Sequence, residues 1–497
     1  MSATVAPEIA LAVARREHAS PLSDAPLVVD LDGTLVRTNL LLECALAYLK
    51  AHPLGILRLL LWLCWGRASL KAELARAVAI DAADLPLNEA VAAFAAAEAQ
   101  RGRKVYLATA ADERLARAVA DRCGFFADVL ASDGRQNLKG RRKADAIARR
   151  LPGPFAYAGD SWADLPVWSR ASEIILVGAS GATRRAAARL GRPMTVFPAS
   201  SRLRALVRSA RPHQWAKNAL VFVPALLAGR LGEPAALGPV IASFCALCLV
   251  ASATYILNDL WDLADDRRHW SKRARPIASG TLPVSVALGA APLGLAAGLG
   301  LGLLVGPTVA LVLAIYVALT LAYSFALKRV PILDVTVLAG LFTLRLALGI
   351  AAAVVVVSPW LLAFSMFLFG SLCFAKRHVE IERAVARGLP GAASRGYQAR
   401  DAGLVFALGC GTGIASIVIL VLYVIFDAYQ RTFYGNTTWL WAFPVIMFLW
   451  FSRIWLMTAR GVLDDDPVAF AVGDTPSLGL GVAMGLAFLL AWSGAFA

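Results

Sequence analysis

Cysteine is sparse and unordered in this sequence. Its seven residues show no disulfide-like or zinc-like spacing. The one close pair, Cys245 and Cys248, falls inside an apolar run and reads as packing rather than a redox or metal site. Charge is thin as well: Asp, Glu, Lys and Arg make up 17% of the chain, and acids are the scarcer sign, 34 against 49 bases. No positively charged, apolar, small-residue leader opens the chain, so the first part is expected to stay in the cytoplasm. No nucleic-acid motif accompanies the net charge of +15. The basic excess therefore points to anionic lipid or to phosphorylated substrates, and no nucleic-acid partner is expected.

What the chain has in excess is apolar sequence. Hydrophobic residues make up 59% of it, the mean hydropathy is +0.63, and the excess is concentrated after about residue 215, which describes a membrane protein with a soluble front end. Apolar stretches of about 17 to 22 residues, long enough for a hydrocarbon core of roughly 30 Å, lie at approximately 217–232, 237–257, 284–304, 307–327, 333–354, 359–375, 403–426, 438–457 and 477–496. Nine spans are thus expected. The loops after the even-numbered ones hold most of the Lys and Arg, which puts them on the cytoplasmic side of an inner (plasma) membrane together with the front domain, and the C-terminus outside.

The front part, 1–200, carries its chemistry at strand ends. "APLVVDLDGTLVRTN" is a β-branched run closing on Asp30 and Asp32, two carboxylates that leave a strand tip on one side. One can attack phosphorus while the other handles the leaving-group proton. "KVYLATAADE" ends a second strand at Thr109, "GRRKADAIARRL" opens a helix with Lys143, and "FAYAGDSWADLPVW" places Asp160 after a third strand and Asp164 four residues on. These four motifs, over 25–168, resemble the haloacid dehalogenase family of phosphatases. The resemblance implies Asp30 as nucleophile, Asp32 as general acid/base, Thr109 and Lys143 as phosphate binders with Lys139 a rival for the lysine role, and Mg²⁺ held by Asp30, Asp32, Asp160 and Asp164. Between the first two motifs, at about 38–100, a helical cap is expected. Within it "LGILRLLLWLCWGR" (54–67) is too short to span. It is either a cap helix buried against its neighbours or one that rests on a membrane surface.

In the rear part, 201–497, "ILNDLWDLADDRRHW" follows an apolar run with four aspartates. Asn258, Asp259, Asp262 and Asp266 fall broadly along one helical face, a set of oxygens suited to Mg²⁺ bridging a diphosphate. Here the chain resembles the UbiA-type intramembrane prenyltransferase superfamily over 205–497. It departs from that superfamily in its second acidic motif, where "YSFALKRVPILD" offers Asp334 alone and "KRHVEIERA" offers Glu380 and Glu382. "RPHQWAKN", "NDLWDLADDRRHWSKRARPIASG", "YSFALKRVPILD" and "AKRHVEI" resemble the decaprenyl-phosphate phosphoribosyltransferase branch. That resemblance implies catalysis at Asp259 and Asp262 with Asp266 as a further Mg²⁺ ligand. It implies substrate contacts from Lys217, Asn258, Arg267, Lys272, Arg273, Arg275, Tyr323, Lys328, Lys376 and Arg377. The expected donor is phosphoribosyl pyrophosphate and the expected acceptor a polyprenyl phosphate in the bilayer.

The fold class expected is thus an α/β Rossmann-like soluble domain with a helical cap, followed by an all-α polytopic membrane domain. Three functional alternatives stay open: prenyl transfer to an aromatic acceptor, a transporter or lipid-binding protein, and a front domain acting on an unrelated soluble phosphate. The oligomeric state, a homo-oligomer included, is also open.

Overall fold

The computed structural model describes residues 15–16, 25–388, 391, 395–430, 433–463, 470 and 473–494. The expected start of the front domain before residue 25 and the last residues of the final span lie outside them. Two compact bodies form: Met1–Ala210 with Tyr255–Ala291, and Arg211–Thr254 with Pro292–Ala497. The aspartate-bearing segment thus packs with the front body.

Seven strands make one sheet: β1 (Arg15–Arg16), β2 (Leu27–Val29), β3 (Val105–Asp112), β4 (Asp128–Ser132), β5 (Ala156–Gly159), β6 (Glu173–Val177) and β7 (Met194–Phe197). Their order is β1-β7-β6-β5-β2-β3-β4. Six run parallel, and β1 pairs antiparallel on β7. The short central strands are apolar on both faces, with Leu27, Val28 and Val29 all buried, as a sheet covered by helices on both sides requires. From β2 the chain goes to β3 on one side and later to β5 on the other. The strand order therefore reverses beside β2, and the crevice at the strands' carboxyl ends is where such sheets bind ligands.

Four helices separate β2 from β3: α1 (Leu40–Ala51), α2 (Ile56–Cys64), α3 (Arg67–Ala77) and α4 (Glu89–Gln100). Asn39 caps α1 by accepting from the Leu42 N–H. Helix α2 corrects the buried-cap expectation. Trp62 is buried against Tyr48 and Leu74, whereas Leu54, Leu57 and Trp65 are 91%, 74% and 63% exposed, and Ile56, Leu60, Leu61 and Leu63 are exposed too.

Among the described residues, eight helices are long and apolar enough to cross a membrane: Pro234–Trp261, Val284–Val305, Pro307–Phe325, Leu333–Ala353, Pro359–Ala386, Ala399–Ala428, Thr437–Ala459 and Thr475–Ser493. At 217–232, the ninth expected span, the winding differs among the described residues. That stretch lies in an eleven-residue 3₁₀ helix, Pro212–Phe222, followed by a five-residue α-helix, Val223–Leu227. Apolarity alone does not distinguish these windings. The segment is fastened within the second body: Asn218 accepts from Arg345 Nε at 3.0 Å, and Arg345 also donates to the Tyr316 hydroxyl and the Leu341 carbonyl.

Candidate functional site

At the carboxyl edge of the front sheet, β2 delivers Asp30, and its register with β3 (Val29 opposite Leu107) brings Thr109 to the same edge. Asp160 follows β5 directly. Lys143 Nζ lies 2.9 Å from Asp30 Oδ1 and 3.6 Å from Asp164 Oδ1. Of the two rival lysines, Lys143 is the one placed on Asp30. It also donates to the Tyr157 hydroxyl, which donates onward to Asp164 at 3.0 Å. The Asp32 carboxylate accepts from the Leu40 N–H at 2.9 Å, at the start of α1. Thr109 is fully buried, its Oγ1 accepting from the Ala111 N–H.

Asp30, Asp160 and Asp164 offer oxygens within 4.8 Å of one another. Three hard oxygens so close fit Mg²⁺, which takes one or two carboxylates and leaves its other positions to water and phosphate. Gly33 makes the approach possible: it turns at φ +79°, and a Cβ there would stand 2.4 Å from Asp160 Oδ2. Burial pushes Asp30 up to about 7, opposed by Lys143. Burial, with the charges of Asp30 and Asp164, pushes Asp160 up to about 8. Burial also raises Asp32. For Lys143, burial works against its charge, but Asp30 and Asp164 outweigh that and hold its pKa above the ordinary value. Sequence reasoning missed Lys71 on α3, which donates to Asn137 Oδ1 and whose charge favours ionised Asp32. Nothing in the spacing singles out one lysine of a cap helix.

These raised carboxyls make a pH prediction. In metal-free protein Asp160 holds a proton that the unfolded chain releases near pH 4, so its contribution to stability is lost as pH rises toward 8. Asp160→Asn should therefore raise metal-free stability at pH 8 by on the order of 2 kcal/mol, and by less at pH 5. Thermal melts followed by tryptophan fluorescence, with and without Mg²⁺, read this. A difference that does not change with pH would contradict it.

The aspartate-rich segment belongs to the same body. Asp259 lies in the last turn of helix Pro234–Trp261, and Asp262 precedes the short helix Leu263–Arg268 that carries Asp266. Arg275 Nη1 donates to Asp259 Oδ1 at 3.0 Å and to Asp266 Oδ2 at 2.6 Å. Two buried carboxylates thus converge on one cationic nitrogen, a donor pair that fits Mg²⁺. Burial raises Asp266 despite Arg275. Asn258 and Lys272 are half-buried beside this pair in sequence, and Arg273 is exposed. Arg267 is engaged elsewhere, donating to both oxygens of Glu43 at 2.9 and 2.6 Å and to the Ala278 carbonyl.

The second body holds the remaining expected contacts. Lys217 lies in the 3₁₀ segment and Lys328 in the turn Leu327–Arg329, both half-buried, as is Lys376. Arg377 is fully buried and committed to acids: its Nε stands 2.5 Å from Asp334 Oδ2, and it also pairs with Glu380. Asp334 further accepts from the Tyr397 hydroxyl. Tyr323 accepts from Arg377 and from Arg395. A separate apolar cavity of about 380 Å³ opens between Leu220, Leu346, Phe369, Tyr423, Met484 and Phe488.

Comparison with known proteins matches residues 219–472 to the UbiA prenyltransferase family and residues 27–169 to haloacid dehalogenase-like hydrolases. The uncharacterized protein y4nM of Sinorhizobium fredii is 39% identical over 469 residues, 94% of this chain and 91% of that one. The decaprenyl-phosphate phosphoribosyltransferase of Corynebacterium glutamicum is 38% identical over 182 residues, 35% of this chain but only 54% of that protein. Among solved structures, a UbiA homologue from Archaeoglobus fulgidus bound to DMAPP and Mg²⁺ aligns with 58% of this chain and 98% of its own at 14% identity, TM-score 0.44. The chain belongs to the UbiA prenyltransferase family, carries an N-terminal haloacid dehalogenase-like hydrolase domain, and is similar over part of its length to decaprenyl-phosphate phosphoribosyltransferases.

Proposed function

We propose that the chain is a bifunctional membrane enzyme. It transfers 5-phosphoribose from phosphoribosyl pyrophosphate to a polyprenyl phosphate, releasing pyrophosphate, and the front domain removes the 5-phosphate of the product. The 38% identity to a phosphoribosyltransferase supports this choice of donor. Asp334, the aspartate of the expected second motif, accepts from Arg377 and Tyr397.

In the transfer, a lipid phosphate oxygen attacks the anomeric carbon as the bond to pyrophosphate breaks. A phosphate at neutral pH is already deprotonated, so positioning and charge neutralisation carry the step. Asp259, Asp262 and Asp266 would hold Mg²⁺, which supplies positive charge toward the diphosphate. The side chains of Lys272, Arg273 and Arg275 add to that charge. In the front domain Asp30 attacks the 5-phosphate, Asp32 protonates the departing ribose oxygen, and Asp32 then takes a proton from the water that releases phosphate. The bilayer is crossed nine times, the first crossing made by Pro212–Leu227, and both sites face the cytoplasm.

Membranes supplied with phosphoribosyl pyrophosphate and a polyprenyl phosphate should form polyprenyl-phosphoryl-ribose, read by mass spectrometry of the lipids. Label transferred from a prenyl diphosphate to an aromatic acceptor instead would overturn the reading.

Exposed α2 gives the front domain a means of reaching a lipid-borne phosphate, with leucines toward the acyl boundary and Arg58 and Arg67 at the headgroups. Leu60→Glu should lower hydrolysis of the lipid substrate about tenfold, the loss of one leucine's interfacial burial, and leave a soluble phosphomonoester nearly unaffected. Equal loss on both would contradict it.

A further inference from the structure

The front body contains a pocket of about 360 Å³ lined in part by Asp32 and Asp160. Such a volume is that of a small-molecule site and exceeds what the phosphate group alone requires. Part of its wall does not come from the hydrolase-like residues 27–169. Gly280, Thr281, Pro283, Val284 and Ser285 line it, and they follow the aspartate-bearing segment in the UbiA part of the sequence.

Four ties hold this wall in place. Arg267 and Glu43 form a bidentate pair with both side chains under one-tenth exposed, the geometry that gives arginine–carboxylate pairs their directional strength. Glu43 also accepts from the Thr38 hydroxyl, beside the pocket. Gly280 lies directly on the Arg37 backbone, with φ +71° and only 2.4 Å between an added Cβ and the Arg37 carbonyl oxygen. On the outside, Lys50 pairs with Asp265 at 2.9 Å and Arg268 with Asp84 at 2.6 Å. The same helix α1 that supplies Glu43 donates its Leu40 N–H to Asp32. One element thus positions both the Asp32 carboxylate and the wall. Two exposed arginines, Arg37 and Arg202, also line the pocket.

We propose that the Gly280–Ser285 wall selects the phosphatase's substrate: a sugar phosphomonoester large enough to reach that wall and carrying a second anionic group that faces Arg37 and Arg202. The inference rests on the hydrolase reading of the front domain and identifies its substrate class. A phosphoribosyl lipid has this form, since its head holds a 5-phosphate and a phosphodiester on one ribose.

The test compares two soluble probes on the full-length protein in detergent, acetyl phosphate as the smallest phosphoryl donor and ribose 1,5-bisphosphate as the sugar with a second anion. Ser285 is exposed, so Ser285→Trp narrows the pocket without disturbing the core. It should lower kcat/KM for the bisphosphate about tenfold or more while acetyl phosphate hydrolysis stays within about twofold. Arg37→Gln should shift the same ratio in the same direction by removing the charge that meets the second anion. A ratio unchanged in both variants overturns the inference. Wild-type protein inert toward both probes overturns the hydrolase reading, and the inference with it. A shifted ratio in a protein that makes no phosphoribosyl lipid would leave the inference standing and refute only the transfer reaction.

Discussion

Membranes carrying Asp30→Asn should accumulate polyprenyl-phosphoryl-ribose that still bears its 5-phosphate, whereas wild-type membranes should yield the dephosphorylated lipid. The amide keeps the side chain's shape and its place near Lys143 but is a poor nucleophile toward phosphorus, so hydrolysis should fall by about 10³-fold or more. Transfer should continue at its normal rate, because Asp259 and Asp266 converge on Arg275 rather than on any residue of the Asp30 cluster. The measurement is the mass difference of one phosphate in the lipid extract. An identical lipid profile in variant and wild type would end the consecutive-step reading and leave the front domain with another substrate.

Asp259→Asn should do the reverse. This carboxylate is buried and shares one Arg275 nitrogen with Asp266. The amide preserves the packing but removes one negative charge from the place where a divalent cation would sit, and losses of about 10²-fold to 10³-fold in transfer are expected from removing such a group. Phosphatase activity on acetyl phosphate should stay within about twofold of wild type. Loss of both activities in a well-folded protein would mean that the two sites are not separate.

Much of the front site was legible because its residues are punctuated by strands. Asp30, Thr109 and Asp160 each stand at or beyond the end of an apolar run, and parallel pairing brings such ends to one edge. Among the described residues, eight of the nine expected spans were legible by length and apolarity. The charges were harder. Arg267 and Arg377 are each met by an acid that composition cannot pair with it. Glu43 stands 224 positions from Arg267, a separation at which sequence offers no register. The exposure of α2 was hidden for a related reason: an all-round apolar stretch suits a core or a lipid surface equally. The 3₁₀ winding of Pro212–Phe222 has no apolar signature of its own.

That winding bears on how the chain is threaded through the bilayer. Because Lys50 pairs with Asp265 and Glu43 with Arg267 inside one body, the front domain and the loop after Trp261 occupy the same compartment. In the proposed topology helix Pro234–Trp261 reaches that loop by one passage and the stretch between Ala210 and Pro234 supplies another, since the number of crossings separating two points on one side is even. Sixteen residues of α-helix would reach only about 24 Å. Eleven residues of 3₁₀ helix at about 2.0 Å each, with five of α-helix at about 1.5 Å, reach roughly 30 Å, the thickness of the hydrocarbon layer. The tighter coil lengthens a segment with too few residues, and parity is kept.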